Sequence, residues 1–159
     1  MTTTDLTRRQ WLSAAAGFLL LARRAQAAPV APAAPAITIY KSPTCGCCAK
    51  WVDHVRAAGF AATVHDTDDM DAVKARYGVP KALQSCHTAL VGSARYVVEG
   101  HVPAADVLRL LREHPADVKG LAAPGMPSGS PGMEMGGAAD RFDVIAFTRD
   151  GKSRVYAHH

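Results

Sequence analysis

From residue 37 onward the apolar positions switch repeatedly between a period of two and a period near 3.6. Ile37-Thr38-Ile39-Tyr40 is a short β-branched and aromatic run, the pattern of a strand. Over 47–58, Cys48, Trp51 or Val52, Val55 and Ala58 recur at spacings of three and four, which predicts a helix. Thr44 is placed to cap that helix, and Gly59 stands just past its end. Residues 60–65 read as a second strand. Thr67 or Asp68 then caps a second helix with Met70, Val73 and Tyr77 inward, stopped by Gly78 and Pro80. Residues 88–91 and 94–99 flank Gly92-Ser93, a hairpin with a two-residue turn. Pro103 suits the first position of a third helix whose apolar face is Val107, Leu108 and Leu111, with His114-Pro115 stopping it. The order is β-α-β-α-β-β-α. It predicts a mixed α/β (α+β) core in which a βαβ unit and a hairpin make a four-stranded sheet.

The periodicity lapses over about 120–139, a stretch rich in Gly and Pro that reads as a long loop, functional or without regular structure. Residues 142–147 and 154–156, around Arg149-Asp150-Gly151-Lys152, then predict a C-terminal hairpin. At the other end, Thr7-Arg8-Arg9-Gln10-Trp11-Leu12 sets two arginines before a 12-residue apolar run over 11–22, and Ala25-Gln26-Ala27 follows as a small-x-small cleavage site. That order is a bacterial export signal, and the paired arginines favour the twin-arginine route over an ordinary secretory signal. The division expected is 1–27 signal, 28–36 an Ala/Pro tether, 37–114 the core, and 115–159 the loop and hairpin packed on it.

Composition changes the picture in two ways. The chain is 159 residues, 48% apolar and 20% charged, which sets aside a disordered protein, and no apolar run approaches the roughly 18 residues of a membrane span. The formal charge of +4 suggests an anionic partner. Yet the first 27 residues hold Arg8, Arg9, Arg23 and Arg24 against Asp5 alone, which leaves 14 basic and 13 acidic residues in the rest. The excess belongs to the signal, so nucleic acid is not expected as a partner.

All four cysteines, Cys45, Cys47, Cys48 and Cys86, lie in the exported part. Cys45 and Cys48 have C-x-x-C spacing, and Cys47 adds a C-x-C-C pattern. The cluster sits where a strand hands over to a helix N-terminus, where unpaired N–H groups and the helix dipole favour a thiolate. A thiolate is both a redox nucleophile and a soft-metal ligand. The plain alternative is two structural disulfides, natural in an oxidising compartment. With the hairpin turning at Gly92-Ser93, Cys86 would lie opposite Glu99 and His101 would emerge at the same end of the sheet as Cys45, so that Cys86, His87 and His101 converge on the C-x-C-C turn. Strand alternation would put His87 on the face opposite Cys86, which ranks it below His101 as a ligand.

The strand, Cys-x-x-Cys and helix order resembles thioredoxin. The chain resembles more closely the CopG-type periplasmic copper-resistance proteins, on Tyr40-Lys41-Ser42-Pro43-Thr44-Cys45-Gly46-Cys47-Cys48, Ser85-Cys86-His87-Thr88-Ala89, Glu99-Gly100-His101-Val102-Pro103, Pro124-Gly125-Met126-Pro127 and Gly129-Ser130-Pro131-Gly132-Met133-Glu134. That resemblance implies a thioredoxin-like fold whose cysteines bind copper, with redox activity as an option. The Ser85-Cys86-His87-Thr88 turn lacks the cis-proline of thioredoxins, which argues against general disulfide exchange.

Met126, Met133 and Met135 are three of the four methionines beyond the initiator, and all fall in the 120–139 loop. Thioether is a soft, neutral ligand suited to Cu(I), whereas zinc rarely takes it. The opposing reading has these side chains merely seating the loop on the core. No phosphate-binding Gly loop, no G-x-S-x-G and no catalytic carboxylate pair stands out. His65 with Asp66, Asp68, Asp69 and Asp71 reads as a solvated helix start, and His158 and His159 stay open as tail ligands. The function expected is therefore an exported, periplasmic copper-binding protein of copper resistance or homeostasis. Cu(I) would sit on Cys45, Cys47, Cys48 and Cys86, with His101, Met126, Met133 and Met135 as further ligands, and another periplasmic copper protein is an expected partner. The alternatives are a thiol–disulfide or copper-dependent oxidoreductase using Cys45 and Cys48, and a disulfide-stapled interaction module.

Overall fold

The computed structural model describes residues 33–93, 96–134 and 136–159. Residues 1–27, expected to be an export signal, residues 28–32 of the expected tether, and Met135 lie outside the described residues. The elements are β1 (Ala36–Lys41), α1 (Gly46–Ala57), β2 (Ala61–Asp66), α2 (Met70–Tyr77), a short 3-10 turn (Lys81–Leu83), β3 (Thr88–Val91), β4 (Tyr96–Gly100), α3 (Ala104–Glu113), β5 (Val118–Ala123), β6 (Asp143–Thr148) and β7 (Ser153–His158). Up to α3 this is the order that the apolar pattern predicts. β1 takes in Ala36, the last residue assigned to the tether.

Among the described residues the strands form one mixed sheet in the order β2-β1-β3-β4-β5-β6-β7. β1 pairs with β2 and β4 with β5 in parallel, and the other neighbours are antiparallel. The sheet thus has seven strands, not the four expected of the core alone. β5 occupies the front of the expected 120–139 loop. Its sequence VKGLAA shows no alternation because both faces of the strand are covered. Gly120 is needed there, since a Cβ would run into the Val97 carbonyl and the Phe147 ring.

One face of the sheet carries the main core, with Ile37, Ile39, Ala89, Val98 and Leu121 packed against Trp51, Val52 and Val55 of α1 and Val107 and Leu110 of α3. The opposite face buries Leu90, Val97, Ala122 and Phe147 with Val79. On α3 the buried positions include Val107 and Leu110, while Leu108 and Leu111 are half-buried. The α2 helix is capped by Asp69 rather than Thr67 or Asp68, its carboxylate accepting the Ala72 N–H at 2.9 Å. Met70, Val73 and Tyr77 are only half-buried, and the fully inward residue of α2 is Lys74.

The β3–β4 hairpin differs from expectation in register. Thr88 faces Glu99 and Val91 faces Tyr96, so four residues rather than two make the turn. The Gly100 N–H donates to the His87 carbonyl at 2.9 Å, which carries the same register one step further and sets Cys86 level with His101. Cys86 therefore does not face Glu99.

Candidate metal centre

α1 begins immediately after β1, so the C-x-C-C segment forms its first turn. Cys45 is the N-cap residue, and its side chain makes no capping hydrogen bond. Thr44, expected in that role, instead places its hydroxyl 3.2 Å from that of Ser42. The Cys45 N–H donates to the Ser42 carbonyl at 3.1 Å, closing the turn that leads into the helix. Cys45 and Cys48 are joined as a disulfide, while Cys47 and Cys86 are free thiols. Cys48 is buried, one helical turn in, and the other three sulfurs are half-buried. Cys47 Sγ lies 3.5 Å from Cys45 Sγ. The four sulfurs all fall within 4.8 Å of one another.

Cys86 joins a second group, with ligand atoms of Cys86, His87 and His101 likewise mutually within 4.8 Å. Cys86 Sγ is 3.1 Å from His101 Nε2 and 3.3 Å from His87 Nδ1. His87 is thus beside Cys86 and not across the sheet from it. Strand alternation does not extend to this pair because β3 begins only at Thr88. Both imidazoles are fully buried; His87 packs on Trp51 with ring centres 4.4 Å apart and meets His101 edge-on at 5.0 Å. Trp51 is itself fixed by donating its indole N–H to the Val102 carbonyl at 2.9 Å.

The charges around the cluster follow from burial. Desolvation, with Cys47 next in effect, pushes the Cys86 thiol up to about 12, so it keeps its proton until a metal displaces it. Desolvation also holds His101 low, and drives His87 well below the usual imidazole range with help from His101 and Lys74. Both rings are neutral at neutral pH, the form in which imidazole offers a lone pair.

A polar network absent from the sequence-based expectation supports this turn. Glu99 is fully buried, and its Oε1 accepts from Lys74 Nζ and from the Ser85 N–H, both at 2.6 Å. Oε2 accepts the Thr88 hydroxyl at 2.6 Å. The carboxylate thereby holds the residue just before Cys86. Burial pushes the Glu99 carboxyl up, against the lowering pull of Lys74 and Thr88.

The segment after β5 returns to the cluster through its main chain. The Pro131 carbonyl lies 2.7 Å from His101 Nδ1. Gly132 presses on α1 at φ +84°, where a Cβ would come within 2.9 Å of the Trp51 backbone nitrogen and 3.0 Å of the Cys47 carbonyl. Met126 is 42% exposed and Met133 half-buried. His158 and His159 pair instead with Asp143 at 2.6 Å and Asp106 at 2.7 Å. So the four cysteines come together, and Cys86 links them to His101 and to His87, the imidazole ranked lower from the sequence.

A family model described as a protein of unknown function, DUF411, matches residues 83–133, which hold Cys86, His87, His101 and the Pro131-Gly132 turn. No curated protein matches the chain. Two solved structures of a copper resistance protein, CopG, do match. Its form 2 is 47% identical with a TM-score of 0.74, over 79% of this chain and 98% of that one. Form 1 is 48% identical with a TM-score of 0.72, over 78% and 96%. At that identity, over nearly the whole of the matched structures and with a sulfur and imidazole cluster in place, the chain belongs to the CopG copper-resistance family.

Proposed function

We propose that this protein is exported to the periplasm and there binds copper as Cu(I), in the service of copper resistance or homeostasis. The observation that carries this is the convergence of four cysteine sulfurs within 4.8 Å at a helix N-terminus. Thiolates with imidazoles form a soft donor set that suits Cu(I). Two of the sulfurs are spent in the Cys45–Cys48 disulfide. Two electrons and two protons return them as thiols and bring the donor sulfurs to four. Cys45, Cys47, Cys48 and Cys86 are the proposed sulfur ligands, with His101 and the thioethers of Met126, Met133 and Met135 completing the set. An exposed Met126 is not serving as core filler.

An anaerobic Cu(I) titration against a competing chelator tests this. The fully reduced protein is expected to hold Cu(I) far more tightly than the disulfide form, by more than about tenfold for each sulfur regained, at about 1.4 kcal/mol per factor of ten. Equal affinity in the two forms refutes the assignment. In the same titration, replacing Met126, Met133 and Met135 with Leu keeps bulk and removes sulfur. It is expected to weaken Cu(I) retention without lowering the melting temperature of the metal-free protein. The reverse pattern makes the methionines packing residues.

Export rests on Arg8, Arg9 and Ala25-Gln26-Ala27. Residues 1–27 would be removed and 28–35 would act as a tether ahead of β1. Arg8→Lys with Arg9→Lys is expected to strand the precursor in the cytoplasm, and an unchanged yield of mature periplasmic protein rules out the twin-arginine route.

A second reading has a specific observation of its own. Cys45 and Cys48 form a disulfide with a free thiol, Cys47, 3.5 Å from Cys45 Sγ. That arrangement suits a thiol–disulfide or copper-dependent oxidoreductase using Cys45 and Cys48. A measured reduction potential and an insulin-reduction assay with a Cys45→Ser control distinguish it from simple binding.

A further inference from the structure

The buried groups around Cys86 hold few protons, and their contacts settle where these sit. A backbone carbonyl can only accept a hydrogen bond, so at 2.7 Å from Pro131 O the His101 Nδ1 must carry the ring proton. A neutral imidazole has one N–H, which leaves Nε2 as a bare lone pair. That lone pair faces Cys86 Sγ at 3.1 Å, so the thiol proton of Cys86 points to His101. Cys86 then has no proton for His87, whose Nδ1 lies 3.3 Å from the sulfur and whose ring also meets the Gly100 backbone.

We propose that Pro131 is the positioning residue of the metal centre: its carbonyl selects the His101 tautomer whose Nε2 lone pair is presented to the cluster. The proposal rests on the copper reading of the site. A ring nitrogen that holds a metal depends on what its other nitrogen donates to, and such partners typically govern tautomer, ring orientation and basicity.

The turn that carries this carbonyl is built to stay in place. The Ser130 hydroxyl and N–H both donate to the Pro127 carbonyl, at 2.7 and 2.9 Å, and the Met133 N–H donates to Ser130 O at 3.0 Å. Gly132 follows in the left-handed region with no room for a side chain against Cys47 and Trp51. The loop therefore acts on the centre through its backbone, apart from any thioether it supplies.

The test uses reduced, metal-free protein labelled with 15N in histidine, with the His101 signals assigned by their loss in His101→Gln. His101 is expected to show a pyrrole-type Nδ1, hydrogen-bond coupled to the Pro131 carbonyl, and a pyridine-type Nε2. Gly132→Ala should withdraw the carbonyl, release the tautomer into a mixture, and weaken Cu(I) binding on the order of ten- to a hundredfold. Should Gly132→Ala not fold, Ser130→Ala loosens the same turn more gently, and the wild-type spectrum stands by itself. A wild-type His101 protonated on Nε2 overturns the proposal, as does a folded Gly132→Ala with an unaltered His101 spectrum. Wild-type protein that shows the expected tautomer and yet fails to compete for Cu(I) sinks the copper reading and upholds the tautomer assignment.

Discussion

Replacing Cys45 and Cys47 together with Ser is expected to cost at least about a hundredfold in Cu(I) affinity, near 3 kcal/mol at 1.4 kcal/mol per factor of ten. Serine keeps the size and polarity of the side chain but substitutes a hard hydroxyl for a soft thiolate, which Cu(I) does not favour. The two positions differ in role. Cys45 is the N-cap of α1 and Cys47 lies in its first turn, with their sulfurs 3.5 Å apart, so each substitution removes one sulfur of the cluster and the two losses add. Cys48 and Cys86 would remain, and at Cys86, whose thiol burial alone already raises, a metal would have to displace the proton with fewer thiolates to share the charge. Competitive titration under anaerobic conditions measures the loss, and circular dichroism checks that the fold persists. Undiminished affinity in the double variant would remove the C-x-C-C turn from the site.

The largest effect on stability is expected at Lys74. Lys74→Met should destabilise the protein by about 3–5 kcal/mol near neutral pH, because it leaves the fully buried Glu99 carboxylate without its cation. The Ser85 N–H and Thr88 hydroxyl still donate to Glu99 but carry no full charge. Burial already raises the Glu99 carboxyl, and Lys74 opposes that shift. Without Lys74 the folded-state value climbs further above the unfolded one. A raised carboxyl is protonated more readily in the folded state, so stability is retained at acid pH and falls as pH rises through the folded value. The gap between wild type and variant should therefore be small below the ordinary carboxylate range and widen toward neutral. Denaturant melts at several pH values measure it, and Glu99→Gln in the Lys74→Met background should recover part of the loss. A pH-independent gap would mean that lost packing, not lost charge, is responsible.

How much of this was legible in the sequence depended on how local the signal was. The turn from β1 into α1 could be read because β-branched residues, three cysteines and helical spacing follow one another within a few positions. The C-terminal hairpin was readable from Asp150-Gly151 and its flanking apolar residues. β5 was hidden, because a strand covered on both faces and partly made of Gly and Ala presents neither alternation nor bulk. The β3–β4 turn was placed two residues short, which misaligned Cys86 with Glu99 and, together with alternation carried too far, demoted His87. Lys74 and Glu99 are 25 residues apart, and pattern reading assigns charged side chains to solvent, so their burial appears only once α2 lies over the sheet. Pro131 gave no side-chain signal at all, since it acts through its carbonyl.

The Thr88–Glu99 rung bears on how faithfully the hairpin assembles. A slip of one residue between β3 and β4 would turn every side chain of the moving strand to the other face. Glu99 would then enter the apolar layer occupied by Val98, away from Lys74, Thr88 and the Ser85 N–H. An unpaired carboxylate in that layer is far costlier than a displaced valine. The ion pair thus acts as an error check on strand alignment two rungs from Cys86 and His101, so which thiol meets which imidazole is set at this end of the hairpin and not at its turn.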